Sequence, residues 1–254
     1  MVDGPKVLLL DIETSPDLAW VWGVYEQNAI EVKDHWRILS FSALWFEKKG
    51  FITRGLDDHA GFEGGDHDLC EEIWDLLDKA DIVVAHNGVK FDIKKINARF
   101  IDNDLSPPSP YKVVDTVREV RRVAAFSSNK LDWLCKQLDL GEKLKHEGFA
   151  LWKACMEDDP KAWKRMKKYN QHDIELLESL YIELAPWMRQ PNANLWSKEM
   201  VCPNPICKSK NLQKRGVVHL RTRSYHRFMC IDCGKWGRAN LSIKGASPAI
   251  VEVS

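Results

Sequence analysis

Long apolar runs are missing from this 254-residue sequence: none approaches the ~20 residues that a bilayer span requires. The longest early run, Val7 to Leu10, is also too short for the apolar centre of a secretion signal. Low-complexity segments and internal repeats are absent as well. A disulfide framework is missing too: of seven cysteines, three are scattered and four sit as two close pairs near the C-terminus. Scattered free thiols suit a reducing cytoplasm. Acidic residues become scarce at the end, where residues 195–254 hold 11 Lys and Arg against 3 Asp and Glu, a balance of +8. The preceding 194 residues hold 26 against 34, a balance of −8 that cancels it. What remains is ordinary: 44% hydrophobic and 29% charged residues, ample for a packed core. Membrane, secreted and disordered classes are excluded, and the basic tail suggests a polyanion as partner or simply a solvated basic surface.

Lys6 to Glu13 is a near-continuous apolar run, as in a strand buried on both faces. Ile38–Phe46 and the short Phe51-Ile-Thr53 read as adjacent antiparallel strands. Helical spacing in Leu69, Ile73, Leu76 and Leu77 predicts a helix over 66–80, with Asp66 or Asp68 as its cap. Asp81–His86 is another buried strand, Phe91–Phe100 a helix leaving it, and Tyr111–Asp115 a fifth strand. From Thr116 to about Trp187 the pattern is helical, broken near Gly141 and Gly148. This order predicts an α/β fold, a mixed five-stranded sheet flanked by helices. Periodicity stops around Arg189–Asn194. The expected division is a domain over 1–190, a linker over 191–197 and a small basic domain over 198–254.

Asp11 and Glu13 are two apart on a strand and so leave on the same face. Carboxylates at the end of a core strand are costly unless paired or metal-bound. Asp92, in Asn87-Gly-Val-Lys-Phe91-Asp92, follows the end of a sheet strand, where α/β folds place ligands. By itself it reads first as a helix N-terminal acid. Tyr169 and Asp173, four apart in a helical segment, share a face.

The three segments together resemble the three motifs of the DEDD superfamily, the DnaQ-like 3′–5′ exonucleases of RNase H-like fold. Asp11-Ile-Glu13-Thr14 matches the first; Asn87, Phe91 and Asp92 match the second; Tyr169 and Asp173 match the tyrosine form of the third. The histidine form needs His five residues before the last Asp, where Lys168 stands. Further stretches resemble the family-B-polymerase-like exonucleases common in phage genomes: Asp11 through Trp22-Gly, His86–Phe100, Pro108–Thr116 and Ser128–Asp132. The resemblance spans roughly residues 5–188. It implies that Asp11, Glu13, Asp92 and Asp173 hold two Mg2+ or Mn2+ ions, with Asp11 bridging them, and that Tyr169 orients the attacking water. Thr14, Asn87, Phe91, Asn129 and Lys130 are the corresponding candidates for substrate contact. His172 lies near on the helix and is read as structural. Carboxylate oxygens suit hard divalent ions, and two such ions serve phosphodiester hydrolysis.

Cys202-x4-Cys207 and Cys230-x2-Cys233, with 22 residues between the pairs, form the pattern of a tetrahedral zinc site closed by four thiolates. His219 and His226 are alternative ligands. Arg221, Arg223, Tyr225, Arg227, Phe228, Trp236 and Arg238 interleave base and aromatic, which suits phosphate contact with base stacking; Phe228 is the best candidate for the small core. A zinc ribbon gripping nucleic acid is expected, with a protein-docking ribbon as the alternative. The whole chain thus reads as a metal-dependent 3′–5′ exonuclease acting on DNA in the cytoplasm of a bacterial or phage-infected host cell. It would be free-standing or would serve a polymerase or recombination protein in trans. A ribonuclease of the same superfamily, or an adaptor with an inactive nuclease fold, are the other readings.

Overall fold

The structure is a computed structural model and describes residues 4–25, 28–145, 147–190, 193–220 and 223–243. The chain divides into two compact units, residues 5–181 and residues 182–254 with 1–4. The division therefore falls inside the last long helix, before the expected linker. Residues Ala193–Leu195, expected in that linker, form a 3-10 turn in which Ala193 is buried and Asn194 bonds both ways with the Val201 backbone.

In the larger unit β1 (Val7–Thr14) is central. The small strands β2 (Leu18–Trp20) and β3 (Glu31–Asp34) pair only with each other, a hairpin that the sequence pattern does not announce. Then follow β4 (Ile38–Trp45), β5 (Ile52–Gly55), α1 (His67–Lys79), β6 (Ile82–Ala85), α2 (Asp92–Asp102) and β7 (Lys112–Asp115). Four helices complete the unit: α3 (Thr116–Val123), α4 (Leu131–Gln137), α5 (Phe149–Met156) and α6 (Pro160–Leu184). The sheet order is β5-β4-β1-β6-β7, with β4 and β5 antiparallel and β6 and β7 parallel to their neighbours, so the sheet is mixed. Helices leave the C-terminal ends of β6 and β7, which brings the ends of β1, β6 and β7 to one edge.

Alternation along β1 decides which residues reach the site. Leu8, Leu10 and Ile12 join the core formed with Leu69, Ile73 and Leu77 of α1 and Ile96 and Phe100 of α2. Asp11 and Glu13 point to the opposite face. Their cross-strand partners on β4 are Ser42 and Ser40, small polar residues in an otherwise apolar strand. A β-bulge between Glu13 and Thr14 ends the regular pairing there.

Asp66 stands at the N-cap position of α1, but its side chain does not cap the helix. Its carboxylate instead accepts from the Ile38 N–H at 2.9 Å and from Arg99 at 2.7 and 2.8 Å. A fully buried carboxylate needs a cation more than it needs a cap, and Arg99 of α2 supplies one.

In the smaller unit β8 (Leu212–His219), β9 (Ser224–Cys230) and β10 (Trp236–Arg238) form an antiparallel sheet in the order β10-β9-β8. Among the described residues, no helix is long and apolar enough to cross a membrane.

Candidate active site

Asp11 and Glu13 from β1 and Asp173 from α6 bring one carboxylate oxygen each within 4.8 Å of the others. Asp92, the first residue of α2, lies outside that trio but close enough to be the strongest charged neighbour of Asp11. Its carboxylate is tied to β1 by the Ile12 N–H at 3.3 Å. The turn leading to it is sterically specified. Asn87 has φ 68°, a left-handed conformation that asparagine tolerates better than most residues. At Gly88 a Cβ would lie 2.4 Å from the Ala85 Cβ and 3.7 Å from Asp92 Oδ2. Asp115, at the end of β7, accepts from the N–H groups of Asn87 and Val89 and also from Val117 at the start of α3.

Two residues that the motifs did not indicate complete the constellation. Asn170, wholly buried on α6, donates to Asp11 Oδ2 at 2.6 Å and accepts from Ser40 Oγ at 3.4 Å. Lys143 places its ammonium 2.5 Å from Asp173 Oδ2 and 3.1 Å from the Tyr169 hydroxyl. Its segment is held from both sides: Lys143 N donates to Asp132 Oδ1, and His172 binds the Glu142 carbonyl at 2.9 Å while pairing with Glu175. His172 is thus a structural clip. Asn170 was legible as a polar residue on the stripe Trp163, Met166, Asn170, Leu177. Lys143 sits in aperiodic chain and left no such signal.

The remaining candidates fall in different places. Phe91 is partly exposed beside Asp92, and Thr14 ends β1. An open groove of ≈ 750 Å³ is lined by His86, Asn87, Arg121, Asn129, Lys130 and Lys143 among others. His86 holds its edge, bonding to Thr116 Oγ1 and the Asn129 carbonyl at 2.8 Å each. Burial pushes the His86 imidazole down to about 4, so it is neutral at physiological pH. Asn129 Oδ1 is buried without a hydrogen-bond partner.

Burial and mutual repulsion act together on the acids. Burial, then the charges of Asp92, Glu13 and Asp173, hold Asp11 well above the usual carboxylate range. Burial and the Asp173 charge push Glu13 up to about 8. Burial and Asp115 push Asp92 up to about 7 against the pull of two backbone N–H groups. Asp173 is raised by burial even though Lys143 and Tyr169 pull it down. Burial alone would lower the Lys143 ammonium, but Asp173 outweighs it and holds the lysine above its ordinary value. Tyr169, pushed by burial up to about 12, keeps its proton.

One lysine does not neutralise four acids, and Asp173 Oδ1 is buried with no hydrogen-bond partner. That set fits divalent cations: hard oxygen donors in excess of charge, with a lone pair left over. The metal-free protein should therefore be destabilised by rising pH. Glu13 and Asp92 bind protons more tightly folded than unfolded, so their contribution is full near pH 4 and is lost as pH rises toward 8. Scanning calorimetry in EDTA should show Tm falling by at least ~4 °C between pH 5 and pH 8.5. Saturating Mn2+ should remove most of that slope, and Glu13→Gln should flatten it without metal. A slope unaffected by both would contradict a shared carboxylate–metal site.

In the smaller unit the four cysteines also converge. Cys202 Sγ lies 3.6 Å from Cys233 Sγ, and Cys207 Sγ 3.8 Å from Cys230 Sγ. An ion with Zn–S bonds of ~2.3 Å in tetrahedral geometry would set its sulfurs ~3.8 Å apart. Backbone N–H groups of Asn204, Ser209, Asp232 and Cys233 point at these sulfurs, as thiolate ligands require. The thiols fit a structural zinc. His219 and His226 are engaged elsewhere, with Ser224 and Lys214.

The register of the ribbon separates two faces. Trp236 pairs with Met229 and Arg238 with Arg227, which puts Tyr225, Arg227, Trp236 and Arg238 on one face. Arg238 covers the Tyr225 ring at 4.1 Å and Arg227 the Trp236 ring at 4.9 Å. Phe228 lies on the other face beside Leu212 and Pro203. Arg223 immediately precedes β9, and Arg221 lies outside the described residues.

Residues 8–185 match the family model of the RNase_H superfamily. The chain belongs to the RNase H superfamily. Among solved structures, the family B DNA polymerase from the hyperthermophilic archaeon Pyrobaculum calidifontis shares this RNase H fold, with a TM-score of 0.51 and 15% identity over 72% of the chain. The chain spans 25% of that polymerase's length. No curated protein matches the chain in sequence. Within the RNase H fold the central strand carries Asp11 and Glu13, and its edge gathers the other two acids.

Proposed function

We propose that the chain is a divalent-metal-dependent 3′–5′ exonuclease acting on nucleic acid, with DNA as its substrate. The observation that carries this reading is the convergence of Asp11, Glu13, Asp92 and Asp173 around an unpartnered Asp173 oxygen, beside Tyr169 and Lys143. These four acids would hold two Mg2+ or Mn2+ ions. When bound, such ions supply an activated water, neutralise charge on the phosphate and ease departure of the 3′-oxygen.

The chain's own residues do the rest. Asn170 fixes the rotamer of Asp11. Lys143 donates to the Tyr169 oxygen and Tyr169 in turn hydrogen-bonds Asp173, which fixes the phenol beside the acids, where it would orient the attacking water. Because the phenol keeps its proton, it acts as a positioning donor and not as a base. The groove lined by Asn87, Asn129, Lys130 and Arg121 offers donors and cations to the strand. Tyr169→Phe should slow single-turnover cleavage at least about tenfold, ~1.4 kcal/mol, with little change in metal affinity. An unchanged rate would reduce Tyr169 to a ring packed edge-on against Trp152.

Residues 198–254 would form a zinc ribbon whose Tyr225, Arg227, Trp236 and Arg238 face holds the polyanion that the acidic body repels. Two guanidinium–aromatic stacks on one face favour nucleic acid over a protein partner. The setting would be a bacterial or phage-infected cytoplasm, with a polymerase or recombination protein served in trans. One experiment tests the core of this: 3′- and 5′-labelled DNA and RNA oligonucleotides with Mg2+, Mn2+ or EDTA. Stepwise loss of the 3′ label from DNA, abolished by EDTA, is expected. Preferential RNA cleavage would favour the ribonuclease reading, and inactivity with every metal the adaptor.

A further inference from the structure

The largest exposed apolar feature among the described residues is the β2–β3 hairpin and its tip, which the chemistry above does not use. Trp20 is 61% exposed, Trp22 88%, Val24 91% and Tyr25 85%. Such a surface on a soluble protein marks an interaction site. Three observations say what it meets. The hairpin leaves β1 only three residues after Thr14, so it starts beside the carboxylate strand. Its base is bolted to that region: Trp36 N donates to Asp17 Oδ1 at 3.0 Å, and Arg37 N to Ser15 Oγ at 2.9 Å. And an aromatic–cation track runs from beside Asp92 to the base of the hairpin. Phe91, next to Asp92, lies 6.0 Å from the Lys95 ammonium, and that ammonium sits 3.6 Å over the Trp36 ring. Of the acids about the hairpin, Asp34 is engaged by Arg37 and Asp17 accepts from the Trp36 N–H, while Glu31 stands exposed on β3 opposite Trp20 and Glu26 lies outside the described residues.

We propose that Trp22 and Tyr25 form a stacking platform for unpaired bases of a single-stranded 3′-terminal segment, a few nucleotides upstream of the bond being cut. This rests on the nuclease reading above. Flat exposed aromatic faces suit bases, which stack on them with little regard to sequence. The phosphates pass Lys95, and the terminal nucleotide reaches the acids past Phe91. The enzyme would then prefer single strands, because paired bases are not free to stack.

The test separates a flat face from mere apolar area. In the full chain, Trp22→Leu and Tyr25→Leu should each raise KM for a single-stranded oligonucleotide roughly five- to 150-fold, with kcat unchanged. Trp22→Phe should restore most of the loss. Abasic nucleotides three to five positions from the 3′ end should raise KM for the wild type and add nothing to Trp22→Leu. Hydrolysis of thymidine 5′-p-nitrophenyl phosphate, which fills only the metal site, should be unaffected in all of them. If Trp22→Leu retains the wild-type KM, the platform is overturned. If Trp22→Ala dissociates an oligomer on sedimentation at unchanged KM, the hairpin is a self-docking surface and the proposal fails. Anisotropy binding of a fluorescent oligonucleotide keeps the two readings apart. Binding lost in Trp22→Leu, with no cleavage by any of the proteins, would sink the nuclease reading and support the platform.

Discussion

Asp92→Asn is expected to lose at least about a thousandfold in turnover, ~4 kcal/mol of transition-state stabilisation, while melting no lower than the wild type in EDTA at pH 8. The two effects have one cause. Asp92 is buried, and the neighbouring acids and its own desolvation make its ionised form costly. Asparagine keeps an oxygen to accept the Ile12 N–H, so the tie between α2 and β1 survives. Removing the charge relieves Asp11 and removes a ligand that a divalent cation needs. Calorimetry with and without Mn2+ should therefore show the wild type gaining stability from the metal and the variant gaining much less. A variant that turns over at the wild-type rate, or one that unfolds in EDTA, would remove Asp92 from the metal site.

Cys230→Ser should leave cleavage of thymidine 5′-p-nitrophenyl phosphate intact and raise KM on long oligonucleotides by at least about tenfold. Cys230 is buried, and three sulfurs cannot close a tetrahedral site. The unit has too small a core to stand without that staple, so its sheet and both guanidinium–aromatic stacks go with the metal. Each phosphate held by a cation contributes about −0.7 to the logarithmic salt slope for single strands. If Arg223, Arg227 and Arg238 each hold one, the slope should flatten by about 2. Zinc content by atomic absorption should fall to near zero in the same variant. Full loss of zinc with KM and salt slope unchanged would make the ribbon a protein-docking module.

Much of this protein was readable from local pattern. Buried strands announced themselves as apolar runs at 7–10, 38–45 and 82–85, and the period of two alone put Asp11 and Glu13 on one face. The cysteine pairs carried their chemistry in their spacing. Short-range signals failed where partners lie far apart in sequence. Asp66 has the spacing of a helix cap, yet it serves as the counter-ion of Arg99, 33 residues on. The β2–β3 hairpin was missed because its residues are neither alternating nor buried, and burial is what writes a strand's pattern into sequence.

By itself the sequence determined which acids are available, that two of them share a strand face, that four thiols can close a metal site, and that charge is divided between an acidic body and a basic tail. Those follow from side-chain chemistry and from periods of two and 3.6. Only the tertiary structure decided what surrounds the acids. Lys143, in aperiodic chain, meets Asp173 thirty residues away because His172 and Asp132 hold its loop. Asn170 reaches Asp11 across 159 residues because α6 packs over the odd-numbered face of β1. Which of the ribbon's basic and aromatic residues share a face was likewise settled by strand register. The reason is physical: periodicity records which way a side chain points from its own element, and only packing determines what stands opposite.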